Sequence, residues 1–126
     1  MDHANIGEIV KAHYKSGSYI GEIVEDRGEK FLVKVLAVLK HPMQGDLHNP
    51  GKTEDVFFHQ RKALSYLEKA NISKPAVHPY DGKVPDYQAS LKEATDALKA
   101  KLDKKDTTFN QKAKQKMEDL KSQYFK

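Results

Sequence analysis

Hydrophobic and polar positions alternate with one rhythm in the first part of this chain and another in the last. Early on, Ile6, Glu8 and Val10, and then Tyr19, Glu22 and Val24, fall in short β-rich runs among Gly7, Gly17, Gly21 and Gly28, residues that permit tight turns. Lys15-Ser16-Gly17-Ser18 reads as a hairpin connection between a run ending at Tyr14 and one beginning at Tyr19. A third run, Phe31 to Leu39, alternates through Phe31, Val33 and Val35 and then becomes continuously apolar, as a strand does on moving from a half-exposed to a buried position. Three strands with glycine at their bends predict a small curled sheet.

From Lys40 to Asp55 the pattern turns irregular, and a long loop in so small a domain is more often functional than not. Apolar content returns at Val56-Phe57-Phe58-His59 and continues to Ile72, which predicts a fourth strand at 56–60 and a fifth segment at 62–67. By propensity "RKALSYLEKA" is equally compatible with a short helix. Pro75, Pro79, Gly82 and Pro85 break regular structure, so 75–85 is read as a linker. Beyond it Tyr87, Leu91, Ala94, Leu98 and Leu102 share one helical face, with Asp86 as candidate N-cap; Phe109, Ala113, Met117, Leu120 and Tyr124 repeat the spacing after Thr107 and Thr108. The short break between the runs predicts an antiparallel pair. The chain is thus expected to be mainly β plus α: a five-stranded barrel over 1–74, a proline-rich linker over 75–85 and a helical hairpin over 86–126, packed on or beside the barrel. Each helix is charged except along its stripe, so the stripes must pack on each other, on the barrel or on a partner, and packing within the chain is the favoured reading.

Composition narrows the function. With 126 residues the chain has room for one domain or a small domain plus a helical appendage, and a large catalytic fold is excluded. It has no cysteine, which removes disulfides, thiolate zinc sites and cysteine nucleophiles. The N-terminal residues lack a basic stretch followed by an apolar run, and no segment reaches the apolar length of a bilayer span, so a cytoplasmic protein without direct membrane insertion is expected. Net charge is +4, but of the 22 basic residues only Arg27 and Arg61 are arginine. Base and phosphate recognition leans on the guanidinium fork, so nucleic acid is disfavoured and no DNA partner is expected.

The stretches "HYKSGSYIGEIVED", "FLVKVLAVLKHPMQGDLHNP", "DVFFHQRKALSYLEKANI" and "PYDGKVPDYQASLKEA" resemble the kinase-associated protein B family of Bacillus and its relatives. The resemblance runs from about Ile6 to the last residues and is most specific in "HPMQGDLHNP" and "FFHQRKAL". It implies an SH3-like barrel with trailing helices. It also implies a non-enzymatic role beside a membrane sensor histidine kinase that feeds the sporulation phosphorelay, with no catalytic residues to carry over. The family is also described as a lipoprotein, and here the chain departs from it, having no lipidatable cysteine; proximity to the inner membrane face would come through the partner.

His41, Asp46, His48 and His59 are the best metal ligands by type, but no spacing matches a recognised site, and they read as loop residues bonding the backbone of a turn. A hydrolase assembled from Ser16 or Ser65 with His59 and Asp55 lacks a nucleophile elbow. No catalytic residue, metal or cofactor is therefore assigned. Partner contact is assigned to the long loop through Met43, Gln44, Asp46, Leu47 and His48, and to Tyr14 and Tyr19 flanking the first hairpin and Tyr80 in the linker, while Phe31 is given to the core. A nucleic-acid or ribosome-associated barrel is the alternative, because "GEIVKAHYKSGSYIGEI" also resembles the opening of Tudor-like and translation-factor-type barrels.

Overall fold

The computed structural model describes residues 5–45 and 60–125. Strands β1 (Ile9–Tyr14), β2 (Gly17–Asp26), β3 (Lys30–Lys40), β4 (Lys69–Ser73) and β5 (Val77–Pro79) form one antiparallel sheet in the order β4-β3-β2-β1-β5, followed by helices α1 (Tyr87–Leu102) and α2 (Thr108–Tyr124). The expected five strands followed by two helices are present. β4 and β5 occupy opposite edges yet are joined by a single 3-10 turn, Lys74–Ala76. Three residues cannot span a flat sheet of this width, so the sheet must curl until its edges approach.

Local sequence explains most of the meander. Tyr14 pairs with Gly17, leaving Lys15 and Ser16 as a two-residue turn with φ of 46° and 68°, the twist-matched hairpin geometry. Gly28 turns β2 into β3 at φ 80°, with its N–H bonded to Asp26 Oδ1 at 3.0 Å. At Gly21 a Cβ would lie 2.5 Å from Val33 Cγ1 and 2.7 Å from the Lys34 carbonyl oxygen, so only glycine lets β2 approach β3 there. Register shifts on either side of this point bend β2.

The readings of 62–67 as a fifth strand-like segment and of 75–85 as a linker free of regular structure are corrected. The segment 62–67 is irregular, and Leu67 stands at φ 66°, incompatible with a continuous strand. The strand expected at 56–60 lies almost wholly outside the described residues. Among the described residues the last two strands are β4 and β5, and β5 falls inside the stretch read as linker. Proline survives in β5 because it is a short edge strand.

Two hydrophobic clusters form the core. The first is made by the sheet and the turn before β5: Val10, Ala12, Ile23, Phe31, Val33, Ala70, Ile72 and Val77. The second lies between sheet and helices, where Tyr19, Val35, Val38 and Ala63 meet Leu91 and Ala94 of α1. α1 begins as expected, with Asp86 Oδ2 accepting from Ala89 N at 3.1 Å, and Ser90 Oγ accepts from Val38 N at 3.0 Å, satisfying a β3 backbone group. Thr107 Oγ1 caps α2 through Asn110 N at 3.0 Å, and Ala113, Met117 and Leu120 are buried. Both stripes therefore pack within the chain. On α1 the buried residues are confined to 90–95, while Leu98 and Leu102 are half-buried.

Candidate partner-binding site

The chain leaves β3 at Lys40 into His41-Pro42, and this junction is buried rather than looped out. His41 is 1% exposed. Its Nδ1 is 2.9 Å from the Pro42 carbonyl oxygen, which can only accept, so Nδ1 carries the hydrogen and Nε2 accepts from the Tyr124 hydroxyl at 2.9 Å. The same tyrosine oxygen accepts from Ala63 N at 2.9 Å. One phenol thus ties the end of α2 to both chain segments that flank residues 46–59. Burial holds the His41 imidazole below its ordinary pKa, with the Pro42 carbonyl opposing the shift. His41 is a neutral structural joint, and the described residues contain no cluster of three or more His, Cys, Asp or Glu that could hold a metal.

Gln44 completes the joint. It is 3% exposed; its Nε2 donates to the Pro42 and Arg61 carbonyls at 3.0 Å each, and its Oε1 accepts from Arg61 N at 2.9 Å. The side chain acts as a strand partner for the Arg61 backbone. Arg61 Nη1 in turn donates to the Gly45 carbonyl, and Met43 N donates to Ser16 Oγ at 2.9 Å. The expectation that Gln44 faces a partner meets a buried, fully engaged amide. Met43 is half-buried, and Asp46, Leu47 and His48 lie outside the described residues, as do His59 and Asp55.

The tyrosines divide. Tyr19, expected to flank the hairpin in solvent, is 1% exposed. The register shift between Ser18 and Tyr19 turns its ring into the second cluster, where its hydroxyl accepts from Leu64 N at 3.3 Å. Burial pushes its pKa up to about 12. Tyr80 is half-buried and donates to the Lys83 carbonyl at 2.9 Å, closing its own turn. Tyr14 remains half-buried at the hairpin end, with Lys15 Nζ 5.2 Å from its ring centroid.

What the arrangement creates is a cleft of about 380 Å³ at the hairpin end. Tyr14, Tyr19, Pro42 and Leu64 supply its apolar walls, and Lys15, Arg61, Lys62 and Glu68 its polar rim. Of these, sequence reasoning had singled out Tyr14 and Tyr19 for partner contact. Pro42, Arg61, Lys62 and Leu64 lie inside the two stretches most specific to the family resemblance, but no hydrophobic period marks them as a site, because only the fold, through the His41, Gln44 and Tyr124 hydrogen bonds, brings their segments together. A second hollow of about 300 Å³ lies beside the start of α1, between Leu36, Tyr66, Val84, Pro85 and Tyr87. Its Tyr66 is 56% exposed and 5.7 Å from the Tyr87 ring, centroid to centroid. Ser16 Oγ is occupied by Met43 N. Among the described residues no helix is long and apolar enough to cross a membrane.

The described residues thus form a small curled antiparallel sheet with a helical pair packed on it, carrying a rimmed cleft. The chain belongs to the kinase-associated protein B family: the model of the family described as "Kinase associated protein B" matches residues 14–125. It is 50% identical to the Bacillus subtilis (strain 168) protein named "Kinase-associated lipoprotein B", over 99% of this chain and 98% of that protein. Its fold is similar to the crystal structure of kinase-associated protein B from Bacillus cereus, with TM-score 0.82 and 37% identity over 95% of this chain and 96% of the other.

Proposed function

We propose that this chain is a non-catalytic adaptor that binds a sensor histidine kinase, with its SH3-like barrel as the contact surface, and acts in the phosphorelay that leads to sporulation. Family membership over nearly the whole chain carries the reading. The side-chain chemistry supports it. The polar groups of His41, Gln44, Tyr19 and Tyr124 are spent on internal hydrogen bonds. In this reading proximity to the membrane follows from the kinase. The protein works on the cytoplasmic side.

The test is capture of partners by the tagged full chain from a Bacillus lysate, with identification by mass spectrometry. A sensor histidine kinase is expected, retained when nuclease is added. Recovery of ribosomal components or RNA that disappears steeply with salt would replace the adaptor by a nucleic-acid-associated barrel.

A further inference from the structure

We infer that the cleft between Tyr14, Pro42 and Leu64 docks an acidic segment of the partner protein, an inference that rests on the adaptor reading for the identity of that partner. Three observations carry it. First, the walls are fixed. Pro42 is clamped through its carbonyl by His41 and Gln44, and Leu64 has its N–H bonded to Tyr19 and its carbonyl to the Tyr87 hydroxyl. A fixed concave apolar wall takes an apolar side chain with little ordering cost.

Second, the rim carries an excess of positive charge among the described residues. Lys15, Arg61 and Lys62 face one carboxylate, Glu68, whose Oε1 is already accepting from Ser65 N at 2.8 Å. Among the described residues none of these three cations has a carboxylate within ion-pair distance, whereas Arg27, Lys34, Lys74, Lys92, Lys99, Lys114 and Lys121 all do. The positive charge continues along the outer face of the same strands. Lys11 lies on β1, and Lys40 at the end of β3 stands opposite Ser18 of β2. Complementarity therefore selects carboxylates flanking an apolar residue.

Third, the ring surfaces discriminate against the other polyanions. Tyr19 is buried and the face of Tyr14 carries Lys15, so among the described residues the cleft offers no open ring on which a base could stack. A bilayer surface cannot enter a concavity of this size. A peptide side chain can.

Short random peptides displayed on phage are selected against the full-length chain. The selected sequences are expected to place Asp or Glu beside an apolar residue. A selected peptide should lose about tenfold in affinity on the K15E/K62E variant, and weaken as salt rises. Both lysines are at the surface, and an unchanged denaturation midpoint confirms that the variant is folded. Selected peptides without acidic enrichment overturn the inference, as does equal binding to K15E/K62E. So does binding of phosphatidylglycerol vesicles or a single-stranded oligonucleotide, rather than peptide, that depends on the two lysines. The two readings fail separately: a kinase captured equally by wild type and K15E/K62E ends the cleft proposal and leaves the adaptor, while acidic peptides bound at the cleft with no kinase captured end the adaptor and leave the cleft.

Discussion

Set side by side, the two hydrophobic clusters hold the chain together by different means. The buried members of the first are aliphatic residues and Phe31, with Tyr14, Leu64 and Ala76 packed against them, and its strands satisfy one another's backbones. The second is bordered by Tyr14, Leu64, Tyr87, Tyr124 and Phe125, and irregular backbone runs through it at Ala63 and Leu64. That backbone has no ladder to pair with, so phenol hydroxyls and side-chain amides satisfy it instead. A cluster closed by burial alone is sensitive to volume; one closed by single polar side chains is sensitive to atoms and to pH. The cleft sits on the second kind, which gives its walls their positions without a regular element beneath them.

The sharpest way to break this contrast is through volume in the first cluster. Ile23 is fully buried there, and Ile23→Ala removes packed methyl and methylene groups at a cost of about 3 kcal/mol. Denaturant unfolding followed by both far-ultraviolet circular dichroism and tyrosine fluorescence should show one midpoint, shifted equally in both. Divergent midpoints would mean that the helices and the sheet unfold separately and that the clusters are independent units.

Next in size is a single oxygen in the second cluster. Tyr124→Phe keeps the ring and deletes the hydroxyl that serves both His41 Nε2 and Ala63 N, leaving two buried groups unpartnered. A loss of about 2 kcal/mol is expected from the denaturation midpoint. A change near zero would mean that the joint between α2 and the two flanking segments contributes nothing.

The same joint sets a pH dependence. The folded pKa of His41 is lowered, chiefly by burial, so the unfolded chain takes up the proton first and stability is lost as pH falls below about 6.5, levelling off beneath the folded pKa. His13 is shifted in the same direction, by desolvation first and then by Lys11, His78 and Lys40, so it acts in the same window. His41→Gln should remove part of the slope and leave the part due to His13. An unchanged slope would place all the titration at His13. Glu25, Asp26 and Glu118 are lowered by Arg27, Lys74 and Lys99 and lose their contribution only further into acid.

Legibility in the sequence follows the range of the forces involved. The first hairpin, β3 and both helix caps were readable because a two-residue turn, a period-two run and an Asp or Thr before an apolar stripe are local signals. β4 was missed because Lys69–Ser73 offers only Ala70 and Ile72 to the core, and β5 because three residues ending in Pro79 become a strand only by pairing with Val10–Ala12. The site was readable only in outline. Of the long loop read as a partner-contact segment, only 41–45 is among the described residues, and there His41 bonds a residue 83 positions away and Gln44 one 17 positions away, so their buried, structural use follows from the fold alone. Nothing in the composition of the chain announces that Arg61 and Lys62 will meet Lys15.

The smallest effect is expected where the helices leave the sheet. Along α1 the residues that reach full burial are Ser90, Leu91, Ala94 and Thr95, beside β3, whereas Leu98 is half-buried in the half of the helix that faces α2. That half is joined to α2 by the Lys99–Glu118, Lys114–Asp103 and Lys121–Asp96 ion pairs, whose members are substantially exposed and so contribute little each. Leu98→Ala therefore removes side-chain atoms that solvent already reaches, with no closed cavity left behind, and should cost about 1 kcal/mol, well below the Ile23→Ala loss. Chemical denaturation of the two variants under one set of conditions makes the comparison. A Leu98→Ala loss as large as that of Ile23→Ala would mean that the helical seam is packed as tightly as the sheet interior, and the helices would then be a second structural core rather than a cover for the first.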